Sequence, residues 1–139
     1  MSKSKKILYI SMLGVLIILI VCTFLSKFIY AARLPCVEVI NPVRMELPND
    51  ETEMMIYDIV IPSGAIITGE YNRKYVYIVR QRKGLFGPEH YAVLIEVQII
   101  ADDDIYAALG GWSATMFDDV ILFSSHYLTS GDIVKVTNK

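Results

Sequence analysis

Apolar residues follow two different patterns along this chain. Between Ile7 and Leu25, both included, 19 residues pass without a charge. At ~1.5 Å per residue that run matches a bilayer's hydrocarbon core of roughly 30 Å, so it predicts a membrane-spanning helix. Beyond Ala32 the apolar residues come in short pieces divided by Pro, Gly and Asp, the pattern of short strands.

The flanks of the run bear on its fate and orientation. Lys3, Lys5 and Lys6 precede it, while Lys27 and Arg33 follow it. The positive-inside tendency favours a cytoplasmic amino terminus, with the basic residues on the far side opposing it. Tyr9, Phe28 and Tyr30 stand where interfacial aromatic anchors are expected. A cleaved signal peptide would have an apolar region of roughly 7–15 residues and a small-residue cleavage site. This run is longer, and Tyr30, Ala31 and Ala32 make a poor site. A lipid-modified Cys22 would want a small residue before it, where Val21 stands. The favoured division is a cytoplasmic basic tail over residues 1–6, a transmembrane helix over 7–30 and an extracytoplasmic β domain over 31–139, at the cell membrane.

In the second region, Val37, Val39 and Ile40 begin a short strand that Asn41 and Pro42 end. Residues 49–53 are polar and acidic and read as a loop, and residues 54–61 return to apolar character. Residues 65–68 are a short strand candidate. Residues 74–80 are rich in Tyr, Val and Ile, as strands prefer. Residues 81–91 contain Gly84, Gly87 and Pro88 and read as a loop with Leu85 and Phe86 at its tip. From residue 92 to 101, Val93, Ile95, Val97 and Ile99 alternate with Glu96 and Gln98 on the other side, which is the period of a half-buried strand. Asp102, Asp103 and Asp104 suit a turn, and residues 105–109, 120–123 and 133–136 complete the strands, with Ser130, Gly131 and Asp132 turning before the last. The expected fold is mainly β: one N-terminal transmembrane helix, then a small antiparallel β-barrel-like or sandwich domain.

Charge narrows the function. All fifteen acidic residues lie after Ala32, with nine of the thirteen basic ones, giving this part a net charge of -6. Such a surface is poorly suited to nucleic acid, which calls for basic stripes. Cys22 lies within the apolar run and Cys36 outside it, so no intrachain disulfide is expected; Cys36 is read as a lone thiol, with pairing to another chain the alternative.

The search for chemistry finds little. His90 and His126 lack metal-ligand spacing, and the aspartates at 102–104 lack the Gly and distal Glu of a calcium loop. Ser124 and Ser125 beside His126 make no triad, whose members meet by geometry rather than adjacency. The glycines around Leu85 and Phe86 open no helix that would cradle phosphate. The sequence therefore predicts no enzyme, no catalytic or metal-binding residue and no cofactor. Leu85 and Phe86, on a loop with Arg80, Arg82 and Lys83, are candidate partner contacts. Trp112 is a third, with core packing the commoner role for a lone Trp.

The order of these pieces resembles a known family. Val60, Ile61, Pro62, Ser63, Gly64, Ala65 and Ile66 look like the "V/I-P-x-x-A-I" element of HlyD-type membrane fusion proteins, the periplasmic adaptor subunits of bacterial efflux and export systems. The "V-Y/F-V-V" strand that follows there is matched by Tyr75, Val76, Tyr77, Ile78 and Val79, and the next strand by Val93 to Ile99. The closing "L-x-x-G-D-x-V-x-V" is matched by Leu128, Gly131, Asp132, Val134 and Val136. The insert around Leu85 and Phe86 is similar to versions in Gram-positive, clostridia-like members. The resemblance covers residues 58–139 and the strand at Val37. It departs from the family where a lipoyl-like domain and helical hairpin normally stand, since only ~20 residues separate Val39 from Pro62. It departs again at residues 112–119, where Asp118 and Asp119 replace the usual Gly-Asp.

The resemblance implies a membrane-proximal β domain held near the outer leaflet. Its expected partners are the bilayer, through Ile7 to Leu25, and a transporter permease or a full-length adaptor subunit, in an oligomer or outside one. The alternative is a membrane-tethered extracellular β module that binds a cell-wall or other extracellular ligand.

Overall fold

The computed structural model describes residues 3–49, 53–110 and 118–138. Trp112, a candidate contact, and the centre of the acidic loop at 49–53 lie outside the described residues. The chain divides into two compact units, Met1–Leu34 and Pro35–Lys139.

The first unit is a single helix, α1, Lys3–Arg33. It extends beyond the expected 7–30 at both ends, because a charged residue such as Lys or Arg continues a helix readily once the apolar run has formed one. It has no buried residue, and its apolar side chains point outward around its whole girth. Such a helix is long and apolar enough to cross a membrane. Thr23 satisfies its hydroxyl inside the helix, donating to the Leu19 carbonyl at 2.8 Å. Polar groups in a lipid environment need that kind of internal partner.

Among its described residues the second unit has nine strands: β1 (Cys36–Ile40), β2 (Val43–Pro48), β3 (Met54–Pro62), β4 (Ile67–Thr68), β5 (Lys74–Gly84), β6 (Gly87–Asp102), β7 (Tyr106–Gly110), β8 (Asp119–Ser124) and β9 (Ile133–Val136). Five of them close a barrel in the order β5, β6, β9, β1, β8 and back to β5. Neighbours are antiparallel except β1 and β9, which run parallel with Cys36 opposite Lys135 and Val37 opposite Val136. The far half of β6 leaves the barrel and pairs with β7, which continues through β3 to β2.

Alternation of side chains gives the domain two packed layers. Val37, Val39, Val79, Ala92, Ile121 and Val134, drawn from all five barrel strands, form one cluster with Leu128 and Tyr77. A cluster contributed by every strand of a closed ring fills its interior. The opposite faces of β5 and β8 carry Val76, Ile78 and Val120, which pack under Ile61, Ala65 and Leu109. Burial on both faces explains the unbroken apolar run at 75–79. A third cluster, Leu47, Val60, Ala101 and Ala108, joins β2, β3, β6 and β7.

Two expectations change, and one strand is added to them. Residues 81–91 are not a loop: β5 and β6 form one continuous hairpin, paired from Lys74 opposite Val97 to Gly84 opposite Gly87. The central residues Leu85 and Phe86 keep ordinary backbone geometry, and Gly87, at φ 121°, reverses the chain. Residues 43–48, flanked by Pro42 and Pro48, form a strand at the sheet edge, where proline is tolerated. Residues 65–68 start as a 3-10 turn over Ser63–Ala65, leaving only Ile67–Thr68 in the sheet.

Candidate functional site

The hairpin of β5 and β6 outgrows its neighbours. The last β8 partner of β5 is Val79, and β9 meets β6 at His90 and Tyr91. The pairs Arg82–Glu89, Lys83–Pro88 and Gly84–Gly87 therefore project beyond the barrel wall. At the tip, Leu85 is 94% exposed and Phe86 61%. Exposing Leu85 to this degree forgoes the ~1.5–3 kcal/mol that burying such a side chain contributes. That cost makes the tip a candidate contact.

Two basic residues on the stem, Arg80 and Arg82, are held rather than loose. The Arg82 guanidinium lies 4.9 Å from the Tyr91 ring centre, with its Nε 3.6 Å from Glu89 Oε2. Arg80 Nη2 is 3.4 Å from Oδ1 of Asp118, a carboxylate residue only 8% exposed. Asn41 Nδ2 donates to the Asp118 carbonyl at 3.1 Å and to Asp119 Oδ1 at 2.9 Å, tying the start of β8 to the end of β1. The tip is thus an apolar pair on a stem whose two arginines are paired.

A second feature was not legible in the sequence. The barrel mouth on the Cys36 side opens as a cleft of about 390 Å³, with Tyr77, Ile121 and Leu128 at its floor and Tyr75, Leu94, Phe123 and Tyr127 around it. Among the described residues, its lining contains no Asp, Glu, Lys or Arg. The Tyr77 hydroxyl donates to the Leu128 carbonyl at 2.6 Å and fixes the loop after β8 across the mouth. Burial, then the nearby Tyr127 and Asp132, raise the Tyr77 pKa above its ordinary value.

The remaining polar residues brace turns. Asp103 Oδ1 accepts from the Ile105 and Tyr106 amides at 2.7 and 2.6 Å, so this aspartate shapes the turn into β7. The Asp132 carboxylate accepts the Thr129 amide at 2.8 Å, and that bond holds its pKa below the ordinary value. His126 Nδ1 lies 2.8 Å from Ser125 Oγ, and the same oxygen accepts the Cys36 amide at 2.9 Å. His90 is exposed on β6. Among the described residues, no group of three His, Cys, Asp or Glu is placed to hold a metal ion. Leu85 and Phe86 are brought together at one tip; Trp112 lies outside the described residues.

Compared with family models, curated proteins and solved structures, the chain matches none.

Proposed function

We propose that this chain is a membrane-anchored, non-enzymatic accessory subunit that docks on the external face of a bacterial transporter or export complex. In this reading α1 crosses the cell membrane with its amino terminus in the cytoplasm, and the barrel stands outside. The observation that carries it is the projecting hairpin, whose Leu85 and Phe86 are presented to solvent by a domain that begins three residues after a membrane-length helix. A paired two-stranded stem presents apolar side chains clear of the barrel wall, the property expected of an interface anchor.

The resemblance to the membrane-proximal domain of HlyD-type adaptors supplies the partner class. That domain contains both ends of the outer chain, and here β1 and β9 lie side by side as a parallel pair. A lipoyl domain and hairpin are missing from the interval between β1 and β3, so the protein is a minimal adaptor. It meets a permease through the hairpin tip, or a full-length adaptor through the sheet edges at β2 and β4.

Mild cross-linking in native membranes, followed by purification through a carboxy-terminal tag, tests the proposal. A transporter permease or long adaptor among the recovered proteins is the expected result. Recovery of the chain alone, or with cell-wall polymer, contradicts it.

A further inference from the structure

The barrel mouth is the second apolar surface of this domain, and its position along the chain limits what can cover it. Phe123 is 60% exposed and Tyr127 92% exposed, on either side of Ser125. Ser125 is bonded directly to Cys36: its amide donates to the Cys36 carbonyl at 2.9 Å, and its Oγ accepts the Cys36 amide at 2.9 Å. Cys36 follows Arg33, the last residue of α1, by three Cα steps, which span at most about 11 Å. Phe28 and Tyr30, one turn before Arg33, are residues of the kind that mark the membrane–water boundary. If α1 spans the bilayer, chain length keeps Cys36 within that reach of the helix end.

The chemistry of the mouth agrees with that placement. The domain's acidic residues would be repelled by anionic lipid, yet among the described residues no carboxylate lines this cleft. Its rim combines Phe with Tyr, and its polar groups are hydroxyls and the His126 imidazole. Aromatic rings with polar tips partition to the headgroup–acyl boundary. Ile67 and Leu94 add aliphatic surface beside them.

We infer that the barrel mouth rests on the bilayer, with Phe123 and Tyr127 dipping into the lipid interface and the cleft between them covered by lipid. This rests on the proposed anchor and adds a second, peripheral attachment. The hairpin and the mouth occupy different ends of the barrel: β1 and β5 both run antiparallel to β8, so β5 carries its tip in the direction in which β1 leaves Cys36. A mouth on the lipid thus turns Leu85 and Phe86 outward.

Photochemical labelling in phosphatidylcholine vesicles tests this with the full chain. Benzoylphenylalanine is placed in turn at Phe123, Tyr127, Phe24 in the helix and Phe86 at the tip, and adducts are weighed by mass spectrometry. Phospholipid adducts from positions 123, 127 and 24, with none from 86, are expected. Tyr127 is so exposed that its replacement leaves packing intact, which guards against a folding defect at 123. An adduct at 24 without one at 123 or 127 overturns the seated mouth and leaves the anchor standing. Absence of an adduct at 24 overturns the anchor and this inference with it. Equal labelling at 86 and 123 also overturns it, since no particular surface then faces the lipid.

Discussion

Cys36 and Ser125 hold each other through two hydrogen bonds, amide to carbonyl and amide to hydroxyl, both 2.9 Å long. They fasten the first residue of the barrel to the loop that follows β8. Replacing Ser125→Ala removes the hydroxyl acceptor and leaves the backbone bond. The expected loss is about 0.5–1.5 kcal/mol of domain stability, read from denaturant unfolding. The Cys36 amide should then exchange faster than that of Val37.

Gly131 adopts φ 98°, in the region that favours glycine, and its amide donates to the Ala92 carbonyl at 2.7 Å. A methyl group there would meet nothing within 4 Å, so the penalty of Gly131→Ala is conformational. It should cost roughly 1–2 kcal/mol, whereas Gly64→Ala, equally unhindered and without a positive φ, should change little. A thermal melt of the two variants side by side checks this.

Acid should loosen the same turn. The Asp132 carboxylate is held below its ordinary pKa, first by its bond from the Thr129 amide. A carboxylate whose folded pKa is lowered contributes stability in full above its unfolded value, and loses it as pH falls through the folded value. Exchange of the Thr129 amide, corrected for intrinsic rate, should therefore rise as pH drops below about 4. In Asp132→Asn that rise should be absent.

Ala92 is fully buried inside the barrel, facing Val37, Val79 and Val134 in the same cluster. A closed ring of five strands leaves little room for more volume. Ala92→Leu should destabilise the domain by about 1–3 kcal/mol or more through overpacking, with a lowered unfolding midpoint as the readout.

What the sequence reveals of this fold depends on whether each strand has one face to bury. Val93, Ile95 and Val97 alternate with exposed neighbours, so β6 can be read directly from its period. The outer hairpin cannot: beyond Arg80 and before His90 it projects past β8 and β9, so Gln81, Arg82 and Lys83 are polar on both faces and the alternation vanishes. Its turn also lacks the Asn-Gly or Asp-Gly signal of a tight hairpin. The parallel pairing of β1 with β9 joins residues nearly a whole domain apart, which no local pattern encodes. The same contrast holds for the surfaces. Leu85 and Phe86 stand out because glycines bracket them, whereas the mouth gathers Tyr75, Leu94, Phe123 and Tyr127 from three separate strands and a loop.

The account turns on the hairpin tip as the docking element. Its most direct test purifies the intact chain and a Leu85→Asp, Phe86→Asp variant in parallel from cross-linked native membranes. Both substitutions sit on the hairpin turn, and a thermal melt of each chain checks that the variant is folded. The account predicts that a transporter permease or long adaptor accompanies the intact chain and is lost from the variant. The same partner recovered undiminished with the variant, or none recovered with the intact chain, would contradict it.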